Sequence, residues 1–394
     1  MRKPLTGGQA FPQKFQVGTD KRARRHHMQT SLHLQNDPSE GAKNLLVNCA
    51  GCRPGDRLLI AFEPDSYGYF EADVLGIFRE EAKALGLQVS SVDVGFEEVR
   101  TALPHPLEDK IADYDVVLFL SRLGDQLRFS ALPAGPKYVV CFALNGQMLG
   151  SCFGRVDYDA LRQVKHDVDE AIVGARHIVV RCPAGTHVEG AVQDRTTKPT
   201  DTTSLRFPLS VFSPVMADSF SGRVALGGFL TGTGSRYYQD YTVEFEGQVF
   251  ALLEAGRLTG FEGTASDVAK ADAHYDRVAS AFDLDRNFVH SWHAGIHPGC
   301  GFPWRLRDHF ERWSGSAFGN PRVLHFHTCG AYAPGEISWN VFDPTIEIDG
   351  VRLWDNGALH PERLPRGREL LRAYPDLVPL FENPDREVGL EDAL

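Results

Sequence analysis

The sequence is short of the features that most directly announce a function. None of its 394 residues join into a run near the roughly 20 apolar residues that cross a bilayer. The opening MRKPLTGGQAFPQKF also has no apolar core for a signal peptide. No membrane partner is expected. Basic residues are in the minority: 41 Lys and Arg face 52 Asp and Glu, for a formal net charge of -11. Nucleic acid is therefore not expected as a partner, because phosphate binding needs a dense basic face. Cysteine is sparse, with seven residues scattered along the chain. An odd, dispersed set builds no disulfide framework and fits a reducing cytoplasm. Cys49 and Cys52 form a CxxC, but no second pair completes a zinc site, so two buried thiols are expected.

Familiar chemical signatures are missing too. The first apolar run leads into AFEPDSYGYF, which has one glycine where a dinucleotide-binding GxGxxG needs three. There is no P-loop and no GxSxG nucleophile elbow.

What is present is a change of grammar along the chain. Residues 1–40 are polar, with a basic cluster from Lys21 to His27, and read as a flexible basic arm that could wrap a second subunit. Residues 41–200 read as an α/β lobe. RLLIAFEPD is a strand, Phe70, Val74, Ile77, Phe78 and Ala82 recur at helical spacing, and LQVSSVDV is the next strand. DYDVVLFLS, KYVVCFAL and ARHIVVRCP continue the series. Strand–helix–strand order implies an open, mostly parallel sheet. The Thr-, Asp- and Pro-rich stretch from Gln193 to Leu205 marks the lobe boundary. Residues 201–394 read as an α+β lobe of antiparallel hairpins: GRVALGGFLTGTGS, YTVEFEGQVFALLEAGRLTGFEG and PTIEIDGVRLWDNG alternate and break at glycine turns, and a helix is expected at Ala265 to Phe282.

Arg122, Asp125 and Arg128 follow the strand ending at Leu120, where open α/β sheets bind ligands. Solvated surface charge is their expected use, with a carboxylate clamp as the sharper alternative. Cys300 and Cys329 lie near histidines but are expected to be buried thiols rather than nucleophiles.

The densest chemistry lies between His290 and His327. In HSWHAGIHPGCGFPW, His293 and His297 have the HxxxH spacing of helical zinc sites. Gly295 between them and Pro298 just after disfavour a helix. Extended, the two would stand about 13 Å apart and could not share one ion. VLHFHTCG is expected to be a strand, in which His325 and His327 point to one face, roughly 6.6 Å apart along the chain. Two imidazoles so placed can meet one metal. A 2-His-1-carboxylate site on Fe(II) would need an acid, and Glu336 and Asp343 are the nearest in sequence. Three histidines and a water on Zn²⁺ would instead give a hydrolytic hydroxide.

The ordered segments CRPGDRLLIAF, RHIVVRCPAGTHVEG, FPLSVFSPVMADSFSGRVAL, HAGIHPG, HFHTCG and IEIDGVRLWDNG resemble the metal-dependent aminopeptidase family typified by thermophilic leucyl aminopeptidases, and its 2,5-dihydroxypyridine 5,6-dioxygenase-like branch. The resemblance runs from about Asn44 onward. It implies two metals in the aminopeptidases, held by glutamates, histidines and a late His-x-Asp. Ser210 and Ser291 stand where those glutamates would be, and Ser338, Trp339 and Asn340 where the His-x-Asp would be. The dioxygenase branch, with one Fe(II) on two His and one Asp, is the better fit, because histidines are gained as glutamates are lost.

The combined expectation is a mononuclear metal enzyme, Fe(II) ahead of Zn, acting oxidatively on a small polar aromatic or heterocyclic substrate. His293, His325 and His327 are the expected ligands with Asp343 as the carboxylate. Trp292 and Trp339 are expected to wall the pocket, with Glu336 as a further acid beside it. The resemblance also implies a homo-oligomer, a dimer or larger. The rival expectations are a zinc-type hydrolase or aminopeptidase, and a non-catalytic descendant that binds a peptide or small molecule.

Overall fold

The computed structural model describes residues 36–192 and 202–390. Most of the expected basic arm, and residues 193–201 of the expected lobe boundary, lie outside the described residues. The protein is a mixed α/β structure built on three sheets.

The first sheet is parallel, with strands in the order Gln88–Asp93, Arg57–Phe62, Val116–Leu120, Lys137–Cys141 and Leu205–Phe207. Its central strand, Val116–Leu120, is buried at every position. That is why it reads as an unbroken apolar run: in a parallel sheet covered on both faces, alternation disappears. The helix Asp73–Ala84 buries Val74, Phe78 and Ala82, the stripe set by their four-residue spacing.

One expected strand leaves this sheet. Ile178–Arg181 lies in an eight-stranded antiparallel sheet, between His187–Gly190 and Thr345–Ile348. Leu205–Phe207 takes the place at the parallel edge. The run Ile178 to Val180 is buried in either setting, so its local pattern does not choose a partner. The short turn to His187, through Gly185 at φ +102, does, because it closes a hairpin.

The eight-stranded sheet runs Arg257–Glu262, Val249–Glu254, Ser221–Leu226, His187–Gly190, Ile178–Arg181, Thr345–Ile348, Val351–Asp355 and Ala358–Leu359. Two of the expected hairpins are here. They turn at Ala255-Gly256 (φ 45 and 72) and Asp349-Gly350 (φ 47 and 82), and Asn356-Gly357 makes a third such turn (φ 48 and 75). Positive φ at both central residues gives the twist that two-residue hairpins need. GRVALGGFLTGTGS is not a hairpin. Ser221–Leu226 stays in this sheet, while Phe229–Thr231 crosses at Gly227-Gly228 into the third.

The third sheet is antiparallel and six-stranded: Val243–Glu244, Phe229–Thr231, Glu336–Phe342, Val323–Cys329, Val289–Ala294 and Val215–Met216. The helix Ala265–Phe282 has the bounds its sequence predicts, opened by Thr264, whose hydroxyl caps the Asp267 N–H. Two apolar cores result, one around the parallel sheet and one between the two antiparallel sheets. Among the described residues, no helix is long and apolar enough to cross a membrane.

Candidate metal centre

Three neighbouring strands of the six-stranded sheet build the site. His325 and His327 share a face of Val323–Cys329, two residues apart. On one side His293 of Val289–Ala294 stands directly opposite His325, and Ser291 opposite His327. On the other, Asn340 and Ser338 of Glu336–Phe342 oppose the same two histidines. Paired positions on adjacent strands face the same side of a sheet, so all six residues form one polar face. The intervening residues Trp292, Phe326 and Trp339 form the opposite, apolar face.

That alternation corrects one expectation. Trp292 and Trp339 do not wall the site; both are fully buried in the core behind it. Trp292 packs edge-on against Phe212 and Phe220, and the Trp339 indole N–H donates to the Tyr275 hydroxyl at 2.6 Å.

The three imidazoles converge through Nε2. His293 Nε2 lies 2.7 Å from His325 Nε2 and 3.1 Å from His327 Nε2. The three could hold one metal ion. Two are fixed from behind. His293 Nδ1 lies 3.0 Å from the Phe212 carbonyl, which only accepts, so Nδ1 carries the proton. His327 Nδ1 is in contact with the Glu336 carboxylate, which when ionised can only accept. In the neutral rings this leaves Nε2 of both with a lone pair aimed at the common centre, the ligand tautomer selected by an outer partner. His325 stacks on Phe318, ring centroids 4.1 Å apart, and its buried Nδ1 has no hydrogen-bond partner among the described residues.

The rings are held neutral. Burial pushes His293 down to about 3 and, helped by the neighbouring imidazoles, drives His325 and His327 well below the ordinary histidine range. Glu336 does not reverse this for His327. Its carboxylate is shared with Arg128, whose guanidinium lies 3.6 Å away, and burial disfavours a second positive charge there.

Glu336 is thus behind a ligand, not beside the reacting space. Asp343 is not brought to the trio. The strand ends at Phe342, the chain turns at Asp343 (φ 50), and both carboxylate oxygens take Arg322, at 2.6 and 2.7 Å. It lines a separate cavity. His297 is buried elsewhere, its Nδ1 accepting from the Gly299 N–H at 3.0 Å, and His290 bonds Ser291 at 2.8 Å. Neither joins the group.

Other sequence candidates are resolved. Burial pushes the Cys49 thiol up to about 12 and those of Cys52 and Cys329 up to about 11, and raises Cys300 well above its usual range. None is an activated nucleophile. Arg122, Asp125 and Arg128 are not solvated surface charge; all three are buried. Arg122 is held by Glu63 and Glu311, and Arg128 by Asp125 at 3.1 Å.

The trio opens on a cavity of about 510 Å³, between the parallel sheet, the helix Tyr158–Gly174 and the histidine face. Asp125 and Arg128 line it after the carboxyl end of Val116–Leu120, Arg206 from the edge strand, Ser204 from just before that strand, and Phe318 from beside His325. Ser210 is also in its wall. Sequence reasoning missed Arg206, Ser204 and Phe318. RFPLS and AFG carry no local signal of a site, and only the third dimension joins them to the histidines.

No protein-family model matches the chain, and no curated protein matches it in sequence. Solved structures do match. The chain shares its fold with a 2,5-dihydroxypyridine dioxygenase. That enzyme, from Pseudomonas putida KT2440, superposes with a TM-score of 0.57 at 14% identity, over 82% of this chain and 98% of its own. Wild-type AmpT from Thermus thermophilus matches with a TM-score of 0.45 at 11% identity, over 82% of this chain and 98% of its own.

Proposed function

We propose that the protein is a mononuclear metal enzyme that uses His293, His325 and His327 as ligands and acts oxidatively on a small polar ring compound. One observation carries the metal: three buried imidazoles converge through Nε2, with His293 Nε2 2.7 Å from that of His325 and 3.1 Å from that of His327, while Nδ1 of His293 and of His327 face the Phe212 carbonyl and the Glu336 carboxylate. A cation at their meeting point would take a lone pair from each of the three nitrogens. The oxidative reading draws on the fold shared with the dioxygenase over nearly all of that enzyme's length. Fe(II) held by three nitrogens would supply open positions for substrate and O₂.

The chain's own residues do the rest. Phe212 and Glu336 hold His293 and His327 in the ligating tautomer. Phe318 fixes the plane of His325. The cavity would keep the substrate beside the trio. A second reading is favoured by the donor set itself: three histidines also suit Zn²⁺ and a hydrolytic hydroxide.

An oxygen electrode separates the two. Anaerobically Fe(II)-loaded protein is offered dihydroxypyridines and hydroxybenzoates, and the Zn(II)-loaded form is offered amides and short peptides. Iron-dependent O₂ uptake is expected. Zinc-dependent hydrolysis without O₂ uptake would replace this reading with the second.

A further inference from the structure

Asp125 uses only half of its carboxylate. The residue is 4% exposed and lines the histidine cavity. Its Oδ2 takes the Ser235 N–H at 2.7 Å and the Arg128 guanidinium at 3.1 Å, and Arg128 also donates to the Asp125 carbonyl at 2.8 Å. Its Oδ1 is buried and has no hydrogen-bond partner among the described residues. The chain makes room for this carboxylate. Gly234, at φ +76, lies against Oδ2, and a Cβ there would overlap it. A buried acceptor left bare is uncommon in folded proteins, and it costs more on a charged group than on a neutral one.

The hydroxyls of this region are directed elsewhere. Ser235 donates to the Arg122 carbonyl at 3.4 Å, Tyr237 to the Gln126 carbonyl at 2.7 Å, and Ser314 to the Glu311 carbonyl at 3.1 Å. Thr233 lines the same cavity, and its buried hydroxyl makes no bond to Oδ1. The missing donor is left to whatever fills the cavity. At about 510 Å³ that space has the size of a ligand site, not of a single water. Asp125 also stands close to the proposed chemistry. Arg128 links it to Glu336, 3.6 Å away, and Glu336 contacts His327. An occupant held at Oδ1 is thus separated by one guanidinium from the carboxylate behind a ligand.

We propose that Asp125 Oδ1 accepts the hydrogen bond of a ring hydroxyl, so that the cavity selects ring compounds bearing that donor. The proposal rests on the reading of this cavity as the substrate site, and adds which residue recognises the substrate and through which group. Arg128 and the Ser235 N–H fix the direction of the open oxygen. Asp125 is therefore a specificity residue and not a metal ligand. A ring without the donor leaves the buried acceptor bare, and a site built to hydrogen-bond a substrate hydroxyl rejects the analogue that lacks it.

The test uses the full chain and two probes that differ in the donor and little in size, 3-hydroxypyridine and 3-fluoropyridine, by isothermal titration calorimetry. Each is titrated into chelator-treated protein and into anaerobically Fe(II)-loaded protein. The hydroxyl compound is expected to bind about tenfold tighter or more. Asp125→Asn is expected to bring the two within about threefold, with metal content unchanged, because Arg128 and Ser235 hold its amide oxygen and its NH2 then meets the hydroxyl as donor against donor. A crystal structure of the unmodified chain with 3-hydroxypyridine is expected to place the hydroxyl oxygen about 2.5–3.0 Å from Oδ1. That structure decides alone should Asp125→Asn fail to fold. Equal binding of the probes, no binding of 3-hydroxypyridine, a preference that survives in Asp125→Asn, or a hydroxyl bound elsewhere with water at Oδ1 overturns the proposal. A preference seen in protein that takes up no metal keeps the role of Asp125 and removes the metal reading. A bound metal without preference does the reverse.

Discussion

At the scale of single residues, the site depends on protons kept in place. Glu336 holds the Nδ1 proton of His327 while Arg128 neutralises it from the other side. Outer carboxylates of this kind orient a ligand and raise its basicity. Glu336→Gln is therefore expected to lower metal affinity about tenfold or more, measured by competition with a chelator. Unchanged affinity would mean that Glu336 has only a structural part. Two histidines away from the trio make a separate prediction. Burial pushes both His274 and His297 down to about 4 from 6.5. Above pH 6.5 both are neutral whether folded or unfolded. As pH falls from 6.5 to 4, the unfolded chain binds protons that the folded chain refuses, so stability falls, by about 3 kcal/mol per group, and this contribution levels off below pH 4. Urea titrations across that range should show the loss, and His274→Gln should reduce it.

At the scale of elements, the sheet's period of two separates chemistry from packing. The same three strands present histidines on one face and Trp292, Phe326 and Trp339 on the other. Trp339→Phe is expected to cost about 1–3 kcal/mol in urea unfolding, because it deletes the bond to Tyr275, and to leave metal content intact. Loss of metal at unchanged stability would contradict this division of faces. The hairpin turns are equally local. Gly350, at φ +82 with open space around it, should lose about 1 kcal/mol on substitution by Ala, read as a lower thermal midpoint, because the strain is in the backbone alone. These features were legible in the sequence. Asp349-Gly350 and Ala255-Gly256 signalled their turns, His325-x-His327 its shared face, and Ala265 to Phe282 its helix. The pairing His293 with His325 was not, because the register between strands 32 residues apart is set by the fold. For the same reason Asp343 looked near the site while its chain turns toward Arg322, and Arg206 went unseen.

At the scale of the whole molecule, a parallel sheet and an antiparallel sheet enclose one cavity, and neither makes it alone. The parallel sheet contributes the charged wall through Arg128 and Arg206, and the antiparallel sheet the imidazoles. The open-sheet rule that ligands gather near carboxyl strand ends places Asp125 and Arg128 correctly, but it says nothing of the histidines that face them. The central claim is that His293, His325 and His327 hold one metal ion. Elemental analysis of the full chain after anaerobic loading with Fe(II) and removal of loose metal tests it most directly. About one ion per chain is expected, falling close to zero in His293→Ala and in His327→Ala, with both variants still folded. A wild-type chain that retains no metal, or variants that retain as much as the wild type, would contradict it.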